Sequence, residues 1–448
     1  MEKGNKKTIR AWTFYDWANS VFPLVITSAI FPNFYLAVTS LKDEAGNVIN
    51  SNVSFFGHDI KNSVIYTFVY SFALAIVVIV TPLLSGIADY YGNKKSFLKF
   101  FCYLGALSCM ALFFFTKEHL ELSFIPFITA TIGFWGSLVY YNSYLPEIAE
   151  EKDQDAVSAK GFAFGYLGSS LLLIICLVGI IVFKYEEVKD AQGIVIETHG
   201  FFKAKYSFLL VGLWWMGFAQ YTFKNLPSAI SKHDGTAQKG ILAKGFSELK
   251  KVFVAIKPQK DLKQFLYSYF FYNMGVQTIM AVAVLFAHEE IKWENPQKEQ
   301  SSLITSILLI QFLGIAGSFL FSYISKKINN IVGLLIAIVF WIGICFSTYM
   351  FVYLPFHFYM VAACVGLVMG GVQALSRSTY SKYLPETTDH TSYFSFYDVI
   401  EKLGMILGTI SFGVISQVMG DMRHSILSLI VFFILGLLLM LPLRKRLP

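Results

Sequence analysis

Charged and amide side chains that interrupt long apolar runs are the residues of this sequence most able to do chemistry. Asp16, Asn19 and Ser20 fall at i, i+3 and i+4, so on a helix they share one face. Asp398, Glu401 and Lys402 lie within two turns, with an acid four residues ahead of the base, the favourable order for a helical ion pair. Arg377 stands in a further apolar run. An ionised group inside a membrane span costs at least a few kcal/mol, so each of these must face a partner or a wet cavity. Such groups can hold a polar solute or pass a proton. A hydrolytic site is not legible. His288-Glu289-Glu290 has Lys292 where a metalloprotease helix needs its second histidine, and no G-x-S-x-G occurs. His58, His119, His199, His233, His390 and His424 fall in predicted loops or at span ends. No catalytic residue, metal site or cofactor is expected, and no nucleotide-binding loop is present. The glycines Gly161, Gly165 and Gly168 read as a close helix-packing face.

The elements that must position these groups follow from composition. The 448 residues are 55% apolar, 17% aromatic and 15% charged, whereas a soluble domain carries about a quarter charged residues. A span needs about 20 apolar residues, and the runs predict twelve spans: 12–38, 62–87, 96–116, 122–147, 158–183, 204–223, 263–288, 302–325, 329–350, 355–383, 393–418 and 424–443. They are numbered helix 1 to helix 12 below. The first run is too long for a signal-peptide core and is expected to be a retained helix. The five cysteines lie in apolar runs with no C-x-x-C pair. Net charge is +7, and most Lys and Arg fall on the N-terminal side of the spans, which places both termini in the cytoplasm.

The longest polar stretch, about 224–262, separates two groups of six spans. In it Ile241, Leu242, Phe246, Leu249, Phe253 and Val254 recur at helical spacing, flanked by Lys244, Lys250, Lys251 and Lys257. This pattern predicts a basic amphipathic helix on the inner leaflet. Tyr144-Leu145-Pro146-Glu147 closes helix 4 and Tyr383-Leu384-Pro385-Glu386 closes helix 10, and the same separation relates Gly165 to Gly404. The repeat predicts a duplicated all-α membrane protein with twelve transmembrane helices in two pseudo-symmetric six-helix halves. The expected boundaries are 1–223, a linker at 224–262, and 263–448. At 1.5 Å per residue, Asp16, Asn142 and Arg377 would form a polar layer near the inner boundary, with Asn19, Asn273, Gln277 and Lys402 deeper. Asp16 in the first half, or Glu401 in the second, is the expected partner of Arg377.

Between helices 2 and 3, Gly86-Ile87-Ala88-Asp89-Tyr90-Tyr91-Gly92-Asn93-Lys94-Lys95 resembles the G-x-x-x-D-x-x-G-x-K/R signature of the major facilitator superfamily. Gly86, Asp89, Gly92 and Lys94 are then gate residues: the glycines allow a tight turn and close helix approach, and Asp89 can accept from a helix N-terminus or from a basic side chain in a neighbouring helix. The matching stretch Ser322-Tyr323-Ile324-Ser325-Lys326-Lys327 keeps the lysines without Gly or Asp, which predicts a weaker second latch.

Four further segments make the chain similar to the vacuole-effluxer family of that superfamily, in a bacterial-type form. They are Tyr15-Asp16-Trp17-Ala18-Asn19-Ser20, Asn142-Ser143-Tyr144-Leu145-Pro146-Glu147, Gly161-Phe162-Ala163-Phe164-Gly165-Tyr166-Leu167-Gly168, and Gly370-Gly371-Val372-Gln373-Ala374-Leu375-Ser376-Arg377-Ser378. Helix 7 departs from the family's Tyr-Asn-Asp-Gly with Tyr272-Asn273-Met274-Gly275. The resemblance implies a secondary transporter that exports small solutes, amino acids first, by alternating access. It implies a monomer in a plasma (bacterial inner) membrane that binds a small molecule and lipid but no nucleic acid. It further implies solute contacts at Tyr15, Asp16, Asn19, Asn142, Asn273, Gln277, Gln373 and Arg377. Asp398, Glu401 and Lys402 join the gate or coupling set, and their carboxylates allow proton coupling. Export of a lipid, drug or other metabolite, or a sensor role, is the alternative on the same fold.

Overall fold

The computed structural model describes residues 3–42, 48–189, 195–228 and 241–445. Helix 1 occupies Lys6–Thr39, helix 2 Asn62–Tyr91, helix 3 Lys94–Phe114, helix 4 Leu120–Ile148 and helix 5 Glu151–Val182. Helix 6 is Tyr206–Asn225 and the linker helix Ile241–Ile256. Helices 7 to 12 are Lys260–Glu290, Lys298–Lys327, Asn330–Phe351, Pro355–Tyr383, His390–Met419 and Met422–Arg444. Eleven of these are long and apolar enough to cross a membrane. Helix 6 is the twelfth. Gln220, Lys224, Asn225 and its tyrosines dilute its apolar character, but Phe208, Val211 and Trp215 are buried against helices 1 and 3. The predicted linker residues 229–240 lie outside the described residues, as do the side chains of Ile241, Leu242 and Lys244.

Several helices outrun their apolar stretches, because a helix continues until something caps it. Helix 1 starts at Lys6 rather than Trp12: Asn5 Oδ1 accepts from the N–H groups of Lys7 and Thr8 at 3.0 and 3.2 Å. Its middle is not regular. Pro23 has no N–H for the Asn19 carbonyl, and the helix widens into a π-helix over Phe22–Ile30, three residues past Asn19. On the face opposite the linker, the described residues form three two-stranded hairpins in loops for which the sequence predicted no structure. They are Leu41–Lys42 with Val48–Asn50, Asn52–Phe55 with His58–Lys61, and Glu186–Lys189 with Val195–His199.

The bundle has two hydrophobic cores. One runs from Trp12 to Leu226, and the other is built almost wholly from Val252 to Leu443. Within the first half helix 1 packs on 5 and 6, helix 3 on 4 and 6, and helix 2 on 4. Within the second, helix 7 packs on 11 and 12, helix 9 on 10 and 12, and helix 8 on 10. These are the same pairings displaced by six helices. Across the halves helix 2 meets 11 as helix 8 meets 5, and helix 4 meets 11 as helix 10 meets 5. Exchange of the halves reproduces the interface, as the duplicated sequence predicted.

Candidate functional site

The polar groups gather at the seam between the halves, in three layers read here from the linker side inward. The outermost layer holds the gate motif. Gly92 takes a left-handed conformation, φ 63°, and closes helix 2. Asp89 then reaches across the seam to the start of helix 11. Its two oxygens accept from the backbone N–H groups of Ser392 at 2.6 Å and Thr391 at 3.3 Å. These are first-turn donors with no partner inside their own helix, and the positive end of the helix favours the carboxylate. Lys94 stays in its own half: it pairs with Glu147 at 2.7 Å and sits 3.9 Å from the Tyr144 ring centroid. Glu147 in turn meets His390 of the other half at 2.8 Å. The sequence marked Glu147 as part of a repeat, not as a gate residue.

The second latch draws its carboxylate from a place the sequence did not indicate. Asp155, in the first turn of helix 5, accepts from Ser325 at 2.8 Å, Asn330 at 2.6 Å and Lys382 at 2.8 Å. The loop between helices 8 and 9 needs no Asp of its own, because the opposite half supplies one.

Gly86 packs against the linker helix. A Cβ at Gly86 would lie 2.3 Å from the carbonyl oxygen of Gly245 in the linker helix. Gly245, Val252 and Ile256 are buried there and Leu249 partly so, while Phe246, Phe253 and Val254 are exposed beside Lys250, Lys251 and Lys257. The single apolar stripe expected from the sequence is thus split, with one face on the protein and the other outward. We expect Gly245→Leu to push the linker helix off helix 2 and raise its protease sensitivity in membranes. Unchanged cleavage would contradict the packing.

The middle layer is the Asp16–Arg377 pair. Arg377 of helix 10 donates from Nη1 to Asp16 Oδ2 and to Asn142 Oδ1, both at 3.3 Å. Its Nε and Nη2 donate to the Ser158 hydroxyl and carbonyl at 2.9 and 2.8 Å. Tyr141 donates to Asp16 Oδ2 at 2.7 Å. The Arg377 and Asp16 side chains are only 3% and 6% exposed, so the pair is shielded from solvent on both sides. The rings of Phe162 and Trp12 lie 4.1 and 4.8 Å from the guanidinium carbon, a favourable setting for a desolvated cation. Gly161 makes the room: a Cβ there would be 2.5 Å from Asp16 Oδ2 and 2.9 Å from Arg377 Nη2. The glycine run does pack helix 5 on helix 1, with Gly165 against Ser20 and Gly168 against Trp17. Its first member also houses the ion pair.

The structure therefore joins Asp16, Asn142 and Arg377 as predicted, with Asp16 rather than Glu401 as the partner. Gln373, one turn earlier, accepts from Tyr166 of helix 5 at 2.6 Å. Tyr15 does not join them. It is fully buried in the first core, tilted against Tyr141 and Phe223. Tyr141 and Ser158 were missed, because neither stands out from an apolar or small-residue run.

The deepest layer contains Asn19, Asn273, Gln277, Asp398, Glu401 and Lys402. Gln277 donates to Glu401 at 3.1 Å and to Asn273 at 3.4 Å, and Lys402 donates to Asp398 and Glu401 at 2.5 and 3.4 Å. Lys402 also lies 3.6 Å from the ring centroid of Trp135, a helix 4 residue of the other half. Asn19 is buried, and its amide nitrogen has no partner among the described residues.

Comparison with known proteins now fits this geometry. A family model described as "Vacuole effluxer Atg22 like" matches residues 4–446. The chain belongs to that family. It is 29% identical over 440 residues to an uncharacterized MFS-type transporter, YxiO, of Bacillus subtilis (strain 168), covering 98% of this chain and 95% of that one. It is 25% identical to Autophagy-related protein 22 of Vanderwaltozyma polyspora, covering 97% and 90%. The fold matches that of the major facilitator transporter FucP in its outward conformation, with TM-score 0.65 at 12% identity over 99% of both chains. It also matches human MFSD10, an organic anion transporter, with TM-score 0.68 at 10% identity over 98% and 100%. The chain is an integral membrane transporter of the major facilitator type.

Proposed function

We propose that the protein exports amino acids or similar small zwitterions across the plasma membrane by alternating access. The single observation that carries the reading is the buried Asp16–Arg377 bond. It joins the two halves, and the site between them opens to the linker side only when it breaks. The Asp89, Glu147 and Asp155 contacts lie on that same side, so the linker side is the closed one. In this reading 1–223 and 263–448 rock about the seam, 224–262 ties them together, and the protein acts as a monomer. The bias of basic residues makes the linker side cytoplasmic. The word effluxer in the family description supports the direction, and the cross-seam polar groups support a charged solute. A proton gradient is the proposed drive, with Glu401, the partly exposed carboxylate at the seam, as the exchanging group.

Counterflow of an amino-acid panel in proteoliposomes tests the proposal. Exchange of at least one amino acid, abolished in a folded Asp16→Asn protein, is expected. Silence for amino acids with exchange of lipids or drugs would replace the solute class. That alternative has one feature in its favour: an apolar cleft in the second half between Met280, Phe286, Ile344, Phe358, Val361 and Ile426.

A further inference from the structure

The deepest layer carries unequal charge. Lys402 supplies one ammonium, and Asp398 and Glu401 supply two carboxylates within 3.4 Å of it. Lys402 is fully buried and Asp398 nearly so, while Glu401 keeps 17% of its side chain exposed at the seam. In a low-dielectric setting a surplus carboxylate calls for a second cation. The Asp16–Arg377 pair next to it is already neutral within itself and spends every bond on its own neighbours. Among the described residues Asp398 Oδ2 is a buried acceptor without a partner, and Asn273 Nδ2 is a donor without one. Asp398 is 4% and Asn273 5% exposed. The carboxamides of Asn273 and Gln277 meet at 3.4 Å, and Gln277 reaches Glu401, which ties Asn273 to the same cluster.

The shape of the place is set by its present occupant. The Lys402 ammonium rests on the Trp135 ring face and touches both carboxylates. An aromatic face with flanking anions suits an ammonium group, the cation such rings recognise best once desolvated. We propose that Trp135, Asp398 and Glu401 form the cation subsite for the ammonium group of the transported solute, and that Lys402, which rests on the Trp135 ring when no solute is bound, yields that ring face to the solute while keeping one of the two carboxylates. The Asn273 amide then meets an acceptor oxygen on the same solute. Because Trp135 and Lys402 belong to opposite halves, displacement of Lys402 by solute removes one contact across the seam and helps release it. This inference deepens the transport reading by naming the chemical group bound and where.

The test uses purified full-length protein in detergent, with melting temperature read against methylammonium, isoamylamine, acetate and sodium chloride. The two amines are expected to stabilise the wild type, and acetate and sodium to leave it unchanged at equal ionic strength. Lys402→Met removes the competitor and should tighten amine affinity by about tenfold, whereas Glu401→Gln should abolish amine binding. If Lys402→Met does not fold, Trp135→Leu decides, with a loss of about tenfold in amine affinity expected. Amine binding no stronger than acetate binding, or indifference to both Glu401→Gln and Trp135→Leu, overturns the subsite. Stabilisation by sodium alone also overturns it. Amino-acid counterflow separates this from the broader proposal. Exchange that survives Glu401→Gln sinks the subsite and spares the transport reading. Amine binding that needs Glu401 in a protein exchanging no amino acid does the reverse.

Discussion

Arg377→Leu is expected to cost about 3–5 kcal/mol of stability and to abolish transport. The reason is what it leaves behind. Asp16 is 5% exposed and would lose its cationic partner, and an uncompensated buried charge is the costly product of breaking such a pair. The Ser158 carbonyl and the Asn142 amide oxygen lose donors too. The neutral double change, Asp16→Asn with Arg377→Leu, should recover much of the stability, because replacing both partners removes the stranded charge. It should not recover transport if the pair is part of the gate. Melting temperature and monodispersity in detergent, followed by counterflow, read both halves of this expectation. A single mutant that melts like the wild type would mean the guanidinium contributes little, despite its four bonds. A double mutant that transports normally would make the pair structural only.

Asp89→Leu is the second large effect, expected to leave the fold intact and shift its conformational balance. The carboxylate holds two N–H groups at the start of helix 11, and hydrogen bonds to a charged group are worth about 1.5–3 kcal/mol each. In the alternating-access reading those bonds hold only while the linker side is closed, so their loss is expected to favour the open state, by about tenfold or more in population. Ser143 reports on this well. It is fully buried, and its hydroxyl lies 3.5 Å from that of Thr391. In protein with the exposed Cys364 replaced by Ser, a Ser143→Cys reporter should label at least tenfold faster once Asp89 is Leu. Equal labelling rates would show that the Asp89 contact does not govern opening. Glu147 and Asp155 predict shifts of the same sign, because each also holds contacts across the seam on the linker side.

What could be read without coordinates was whatever depends on local pattern. The spans followed from apolar run length, since backbone groups in hydrocarbon must be satisfied within a helix. The two halves followed from the repeated Tyr-Leu-Pro-Glu ends and glycines. Asp16 and Arg377 were found because an ion in an apolar run is conspicuous. The turn at Gly92 and the reach of Asp89 to a helix N-terminus followed from motif chemistry.

What depends on which helices touch could not be read. Asp155 sits in an ordinary charged loop end, and only the packing of helix 5 on helix 8 brings it to Ser325 and Asn330. Tyr15 and Asp16 are neighbours in sequence, yet the helical turn sends one into the first core and the other to the seam. Gly161 looked like a packing residue and turned out to be the space an ion pair needs. Trp135 was one aromatic among many until helix 11 laid Lys402 on its face. A membrane protein's sequence states clearly which side chains cannot face lipid, because the energy of that error is large and local. Which of them meet is decided by six-helix units closing on each other, through distances that no spacing along the chain encodes.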